Sequence, residues 1–247
     1  MIDQSERDVI LMIADISGYT KFLVENQMEL SHAQVIINEL TKTIIEEVKI
    51  PLEVSKLEGD AVFFFAVKDN DASRWDETRR PIGQKLLLFF EKFSDKLYEL
   101  KESNTCQCNV CTHVDMLNLK IIVHSGRALF YRLDRFVELS GVDVIIVHRL
   151  LKNSLKSDRY ILMTEQGNRD IAIPQNLTTK KHREEYETIG TINSIIIYPH
   201  VSDDYFHNYS SLSIKAKYMM KKMITPVLHK MKLIKLPTFT NLPDVSP

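Results

Sequence analysis

Residues 8–15, DVILMIAD, form an apolar run that ends in a carboxylate, and this run constrains the fold more than any other feature of the chain. Val9 to Ile13 are apolar without polar alternation, a pattern typical of a buried strand. A second apolar stretch, AVFFFA at 61–66, directly follows another aspartate, Asp60. Because aspartate is common where strands meet turns, each stretch taken alone indicates only a strand end.

Strand-like and helix-like segments are mixed along the chain. Helices are predicted at 31–49, with Ser31 as the N-cap, and at 81–102 and 141–152. Strands are predicted at 8–15, 52–57, 61–67, 119–126, 128–133, 159–163 and 192–198. Hairpins mixed with helices predict an α+β sandwich, with helices packed on a sheet rich in antiparallel pairs.

The charge is unevenly distributed along the 247 residues, although the net charge is only −1. After Asp204 there are seven lysines and one acid, Asp244, so the tail carries +6 and residues 1–204 carry about −7. We therefore expect a domain at 1–204 and a basic tail at 205–247. Because apolar residues separate the lysines, the tail suits a membrane surface, a protein partner or the acidic body. Nucleic acid is not expected, since no recognised motif accompanies the charge.

All three cysteines lie in one short segment, CQCNVC, inside a predicted insert at 103–116. Such usage suits a reducing compartment, and the charged N-terminus does not resemble a signal peptide, so a cytoplasmic location is expected. The alternatives for the insert are a structural zinc site and unliganded thiols in a loop. The zinc ligands would be Cys106, Cys108, Cys111 and His113.

Asp15 and Asp60 can lie side by side if the strand that ends at Asp15 neighbours the hairpin that carries Asp60. Two carboxylates at adjacent strand ends suit Mg²⁺, which completes its shell with water and phosphate oxygens. Gly18 follows closely and can let backbone N–H groups turn toward an anion. The residues therefore indicate a metal–phosphate site.

Four segments resemble, in order and spacing, the successive motifs of class III nucleotidyl cyclase homology domains. They are ADISGYTKF (14–22), KLEGDAVFF (56–64), VHSG (123–126) and ELSGVDVIIVHRL (138–150). The resemblance covers about residues 8–200 and implies a ferredoxin-like α/β sandwich that converts ATP to cyclic AMP and pyrophosphate with Mg²⁺ or Mn²⁺. With its Cys-rich insert, the chain is most similar to an uncharacterised bacterial branch of cyclase-like proteins.

The resemblance also implies roles for individual residues. Asp15, Asp60 and the Ile16 carbonyl match the metal ligands, and the segment Ser17, Gly18, Tyr19 and Thr20 matches the phosphate-binding loop. Lys56 and Glu138 match the base-reading positions, and Arg149 matches the arginine that stabilises charge on the α-phosphate. Alternatively, Lys56 is an edge-strand lysine and Arg149 an exposed helix arginine.

Two departures from the family pattern leave two functions open. Ile145 stands where the family has a ribose-positioning asparagine, and residues 187–198 lack the usual triphosphate-binding lysine. The chain is thus either a divergent cyclase or a catalytically inactive nucleotide-binding or dimerisation module. Because the family shares each site between two protomers and this chain has one copy of each motif, the resemblance implies a homodimer.

Overall fold

The computed structural model describes residues 4–25, 30–102, 109–174, 177–199 and Met220. The strands are β1 (Gln4–Ser17), β2 (Glu53–Glu58), β3 (Ala61–Val67), β4 (Asn118–Leu133), β5 (Phe136–Ser140), β6 (Tyr160–Thr164), β7 (Thr179–Tyr186) and β8 (Gly190–Ile197). The helices are α1 (Tyr19–Glu25), α2 (Leu30–Glu47), α3 (Ala72–Glu102), α4 (Asn109–Thr112), α5 (Val142–Leu150) and α6 (Glu165–Asp170), and a short 3-10 helix covers Val114–Met116.

One sheet joins the eight strands of the described part of the chain, in the order β2-β3-β1-β4-β6-β8-β7, with β5 paired to β4. The β4–β6 pair is parallel, and every other pair is antiparallel. This arrangement confirms the predicted α+β class and the antiparallel-rich sheet.

Strand β1 is buried on both faces, which explains its unbroken apolar run. One set of side chains, including Ile10 and Met12, packs with the helices α2 and α3. The alternate set, including Leu11 and Ile13, packs with α5. Since full burial of an isoleucine or leucine contributes about 1.5–3 kcal/mol, this strand anchors both layers of the core.

Several predicted boundaries were wrong. Helix α2 already includes Leu30, so Ser31 is not its N-cap. Helix α3 begins at Ala72, because the Asp71 carboxylate accepts the backbone N–H groups at the helix start. The predicted start at residue 81 is inside this helix, which includes Pro81. The two strands predicted at 119–126 and 128–133 are one strand, β4.

The second half of the predicted insert is ordered into helical turns instead of an open loop. Val110 and Val114, which lie in α4 and the 3-10 helix, are buried in the same core as α2 and α3. Of the helices that the structure describes, none has both the length and the apolar character needed to cross a membrane.

Helix α5 is attached to the sheet near its N-terminal end by Asp143. This carboxylate accepts the Arg127 backbone N–H at 2.7 Å and lies 2.9 Å from His124 Nε2. His124 is buried and its Nδ1 lies 2.9 Å from Thr164 Oγ1. Burial lowers the pKa of His124, although Asp143 opposes the change, so the ring is neutral, donating to Asp143 and accepting from Thr164.

We expect Gly126→Ala to destabilise the protein by about 1–3 kcal/mol, because the new methyl group would overlap the Asp143 carboxylate that anchors α5. Chemical denaturation followed by circular dichroism measures this loss. In an Asp143→Ala background the same substitution should cost much less. An equal cost in both backgrounds would contradict the proposed clash.

Candidate functional site

Asp15 and Asp60 lie at the same end of two neighbouring strands. Asp15 is near the end of β1 and pairs with Ala61, the first residue of β3, so Asp60 in the preceding turn is adjacent to it. The Ile16 N–H also donates to the Asp60 carbonyl oxygen at 3.4 Å. The structure thus brings together the two carboxylates that the sequence indicated as a pair.

Lys120 completes this cluster, and the sequence analysis missed it. Its Nζ lies 2.9 Å from Asp15 Oδ2, and both side chains are largely buried. Burial disfavours the charged ammonium, but the neighbouring Asp15 outweighs this effect, so the pKa of Lys120 is raised above its ordinary value. The available signal was a lone lysine in the otherwise apolar strand segment LKIIV at 119–123.

The environment of Asp60 makes its negative charge unfavourable. Burial, followed by repulsion from Asp15, raises the pKa of Asp60 to about 6, although Lys120 offsets part of the effect. At neutral pH two carboxylates therefore share one lysine and retain a net negative charge. This is an environment that a divalent cation with oxygen ligands would stabilise, so the residues fit the metal that the motifs imply.

The segment after Asp15 forms the tight entry into helix α1. Gly18 has φ +87°, and a Cβ there would lie 2.8 Å from the Met116 carbonyl oxygen, so glycine is required. Ser17 is buried, and its Oγ has no hydrogen-bond partner among the described residues. Tyr19 and Thr20 belong to the first turn of α1, so the predicted phosphate loop is in part a helix start.

Lys56 and Glu138 are brought into contact from strands β2 and β5. Lys56 Nζ lies 3.3 Å from Glu138 Oε2 and 3.6 Å from Glu58 Oε1. These side chains are about one third exposed, so the pairs are accessible to a ligand and partly screened by water. The structure therefore places the two predicted base-reading residues side by side.

Arg149 lies on the outward face of α5. Ile145, one turn earlier, points to the same side and is 52% exposed. Val142 is also exposed, at 67%. The backbone of Arg149 is fixed, since the Tyr186 hydroxyl donates to its carbonyl oxygen at 3.0 Å. The Arg149 side chain is therefore exposed to solvent, whereas Asp15 and Asp60 are each only partly exposed.

The predicted zinc ligands are only partly covered by the structure. Cys106 and Cys108 lie outside the described residues, whereas Cys111 is half-buried in α4 and His113 follows it. Among the residues that are described, no group of three or more histidine, cysteine or acidic side chains could hold a metal ion. Zinc therefore stays a prediction, as does a role for the tail, which also lies outside the described residues apart from Met220.

Comparison with known proteins identifies a family and a relative that match this chain. The model of the family described as "Protein of unknown function (DUF2652)" matches residues 37–160. The uncharacterized protein Rv2561/Rv2562 of Mycobacterium tuberculosis is 34% identical over 127 residues, which is 51% of this chain and 56% of the relative. The chain thus spans little more than half the length of that relative.

Solved structures share the fold at low identity. A bacterial light-regulated adenylyl cyclase has a TM-score of 0.60 and 15% identity, over 88% of this chain and 57% of that chain. The guanylyl cyclase Cya2 has a TM-score of 0.59 and 12% identity, over 83% of this chain and 98% of that chain. The fold is therefore that of class III cyclase domains, and it is found in both an adenylyl cyclase and a guanylyl cyclase.

We expect Asp60→Asn to raise the melting temperature at pH 7.5 in the absence of divalent cations. Because the pKa of Asp60 is about 6 in the folded protein and near 3.8 when unfolded, its charge destabilises the fold above pH 6, and this penalty is relieved as the pH falls towards 4. Thermal unfolding between pH 4 and pH 8 measures the difference between variant and wild type. Stabilisation that does not shrink at low pH would contradict this assignment.

Asp95→Asn supplies a matched control, because burial also raises the pKa of Asp95, on helix α3. Mn²⁺ should raise the melting temperature of the wild type and of Asp95→Asn, but not that of Asp60→Asn. The Mn²⁺ affinity of the wild type should fall about tenfold per pH unit below pH 6, because binding must displace the Asp60 proton.

Proposed function

Because the chain belongs to the DUF2652 family and has the fold of class III cyclase domains, we propose that it is a divergent class III nucleotidyl cyclase. Its reaction would convert ATP to cyclic AMP and pyrophosphate at a dimer interface. The single observation that carries this proposal is the crowding of Asp15 and Asp60 around one lysine. A purely structural sheet end has no need for two partly buried carboxylates that repel each other.

Asp15, Asp60 and the Ile16 carbonyl would hold Mg²⁺ or Mn²⁺, which when bound would polarise the α-phosphate and acidify the ribose 3′-hydroxyl. The residues of the chain would orient the substrate around this centre. Lys120 would hold the Asp15 carboxylate in place through its contact at 2.9 Å. The tight turn at Ser17 and Gly18 would direct backbone N–H groups toward the β- and γ-phosphates.

Recognition of the base would use Lys56 and Glu138. The ammonium donates to a ring nitrogen or carbonyl of the base, and the carboxylate accepts from an exocyclic amine, so the pair supplies both polarities. Arg149 would contact oxygens of the α-phosphate, because a planar guanidinium can donate to two of them at once. The 3′-oxygen then bonds to the α-phosphorus, the bond to the bridging oxygen breaks, pyrophosphate leaves, and the hydroxyl proton is released to solvent.

A homodimer is part of this proposal, because the cyclase domains that the motifs resemble build each site from two protomers and this chain has one copy of each motif. Exposed apolar residues lie on α5 and on the β4–β5 hairpin, and such residues favour burial against a second protomer. They are Val142, Ile145, Leu133, Phe136 and Val137. Each complete site would then combine carboxylates from one protomer with Arg149 from its partner.

A nucleotide-binding module without catalysis is the second candidate, and Ile145 is the observation that favours it. Its apolar side chain is 52% exposed one turn before Arg149, at the predicted ribose-positioning place, and cannot hydrogen-bond a hydroxyl. Since positioning supplies much of catalysis, loss of such a contact can reduce a rate by orders of magnitude while binding persists.

The two candidates are separated by incubating the purified protein with ATP or GTP and Mn²⁺ and measuring cyclic nucleotide by mass. We expect product with the wild type and at least about 100-fold less with Asp60→Ala, since this change removes a carboxylate from the proposed metal site. The control is Asp95→Ala, which removes a partly buried carboxylate from α3 and should leave activity unchanged. Nucleotide binding without product would favour the module. The absence of both product and binding would refute both candidates.

A further inference from the structure

Helix α5 has a second attachment to the sheet, through His148 near its C-terminal end. His148 Nε2 lies 3.1 Å from Glu58 Oε1 and 3.0 Å from Glu58 Oε2, and Nδ1 lies 2.7 Å from the Val144 carbonyl oxygen. Glu58 is the last residue of β2 and is separated from His148 by 90 positions in the sequence. This contact therefore links the strand that carries Lys56 to the helix that carries Arg149.

Both nitrogens of His148 face groups that only accept hydrogen bonds. Nδ1 faces a carbonyl oxygen and Nε2 faces a carboxylate, so both contacts are favourable only when each nitrogen carries a proton. With a proton on each nitrogen, the ring donates to both acceptors and forms an ion pair with Glu58. It differs from His124, whose Thr164 hydroxyl partner can donate.

Packing fixes the position of the His148 ring. The buried Phe63 meets it edge-on, with ring centroids 5.0 Å apart and an interplanar angle of 67°. Phe63 is also the residue of β3 that pairs with Lys56 in the sheet register. His148, Glu58 and Lys56 therefore keep a defined geometry relative to one another.

Glu58 is shared between His148 and Lys56, and Lys56 is shared between Glu58 and Glu138. The histidine contacts, at 3.0 and 3.1 Å, are shorter than the 3.6 Å between Lys56 Nζ and Glu58 Oε1. The lysine is in turn closer to Glu138, at 3.3 Å. The four side chains form a row in which donors alternate with carboxylates, His148–Glu58–Lys56–Glu138.

We propose that His148 is a positioning residue for nucleobase recognition: by holding Glu58, it leaves the Lys56 ammonium to Glu138 and to the base of the bound nucleotide. This inference rests on the proposed nucleotide site at Lys56 and Glu138. Without His148 the Glu58 carboxylate loses its two short contacts, and Lys56 is the cation beside it. The lysine would then pair with Glu58, and Glu138 would face the base as an unpaired anion.

The test is an equilibrium titration of each variant with a fluorescent ATP analogue in the presence of Mn²⁺. His148→Leu keeps the packing against Phe63 but removes the donor, and we expect about five- to tenfold weaker binding, a scale set by one partly screened charged contact. His148→Gln carries an amide N–H close to the position of Nε2 and should restore most of the affinity. His148→Asn is too short to reach Glu58 and should behave like His148→Leu.

Two further variants separate positioning from a general loss of structure. Adding Glu58→Gln to His148→Leu removes the carboxylate that captures Lys56, so binding should return to within about threefold of wild type. His182→Leu removes the histidine of another His–Glu pair, in which Nε2 lies 2.7 Å from Glu184 Oε1 on strand β7, and should leave nucleotide affinity unchanged. If His148→Leu does not fold, the contrast between His148→Gln and His148→Asn gives the same information.

Different outcomes overturn different statements. If the wild type binds the nucleotide but His148→Leu and His148→Asn bind it equally well, the positioning role is wrong and the proposed function stands. The role is also wrong if Glu58→Gln fails to rescue His148→Leu. If the wild type binds no nucleotide at all, the proposed function and this inference fall together.

Discussion

The electrostatic conflict between Asp15 and Asp60 is the constraint on which the candidate site depends. A strand buried on both faces delivers Asp15 to the sheet end, and the β2–β3 turn delivers Asp60 beside it. Both carboxylates are partly buried, so water screens their repulsion less than at an open surface, and the Lys120 ammonium offsets part of it. One lysine does not neutralise two carboxylates, and the remaining negative charge is what a bound cation would compensate.

The same sheet face gathers the rest of the proposed chemistry. Because side chains alternate along a strand, Asp15 lies on the same side of β1 as Leu11 and Ile13, which pack with α5. Glu58, which also pairs with Lys56, meets His148 of α5 on this side as well. Helix α5 therefore packs on the face of the sheet that carries the site. Helices α2 and α3 pack on the other face and supply stability without contributing residues to the site.

The sequence predicted those parts of the fold whose local pattern agrees with their final environment. Strand β3 and the turn before it were predicted because AVFFFA is apolar and Gly59 and Asp60 favour a turn. Strand β7 was missed because its residues, TKKHREEY, are mostly charged and face solvent at the sheet edge, so no apolar periodicity marks them. The start of α3 was missed because Pro81 resembles a helix beginning, whereas the Asp71 cap lies ten residues earlier.

Prediction of the site had a similar limit. The carboxylate pair, and the assignment of Lys56 and Glu138 to base recognition, followed from recognisable motifs, and the structure places the members of each pair together. Lys120 and His148 were not found, because their importance lies in contacts with residues 105 and 90 positions away. A single lysine or histidine carries no periodicity, and only the tertiary fold shows which charge it meets.

Helix α5 is held at three places, by Asp143 near its beginning, by His148, and by the Arg149 carbonyl near its end. Its backbone thus has little freedom left to lose, while Val142, Ile145 and Arg149 stay exposed to solvent. In the proposed homodimer this surface would already be ordered before association, so association would cost mainly the rotamer entropy of a few side chains. Encounter of two such helices would then be governed by orientation during diffusion, and not by a slower folding step of the interface.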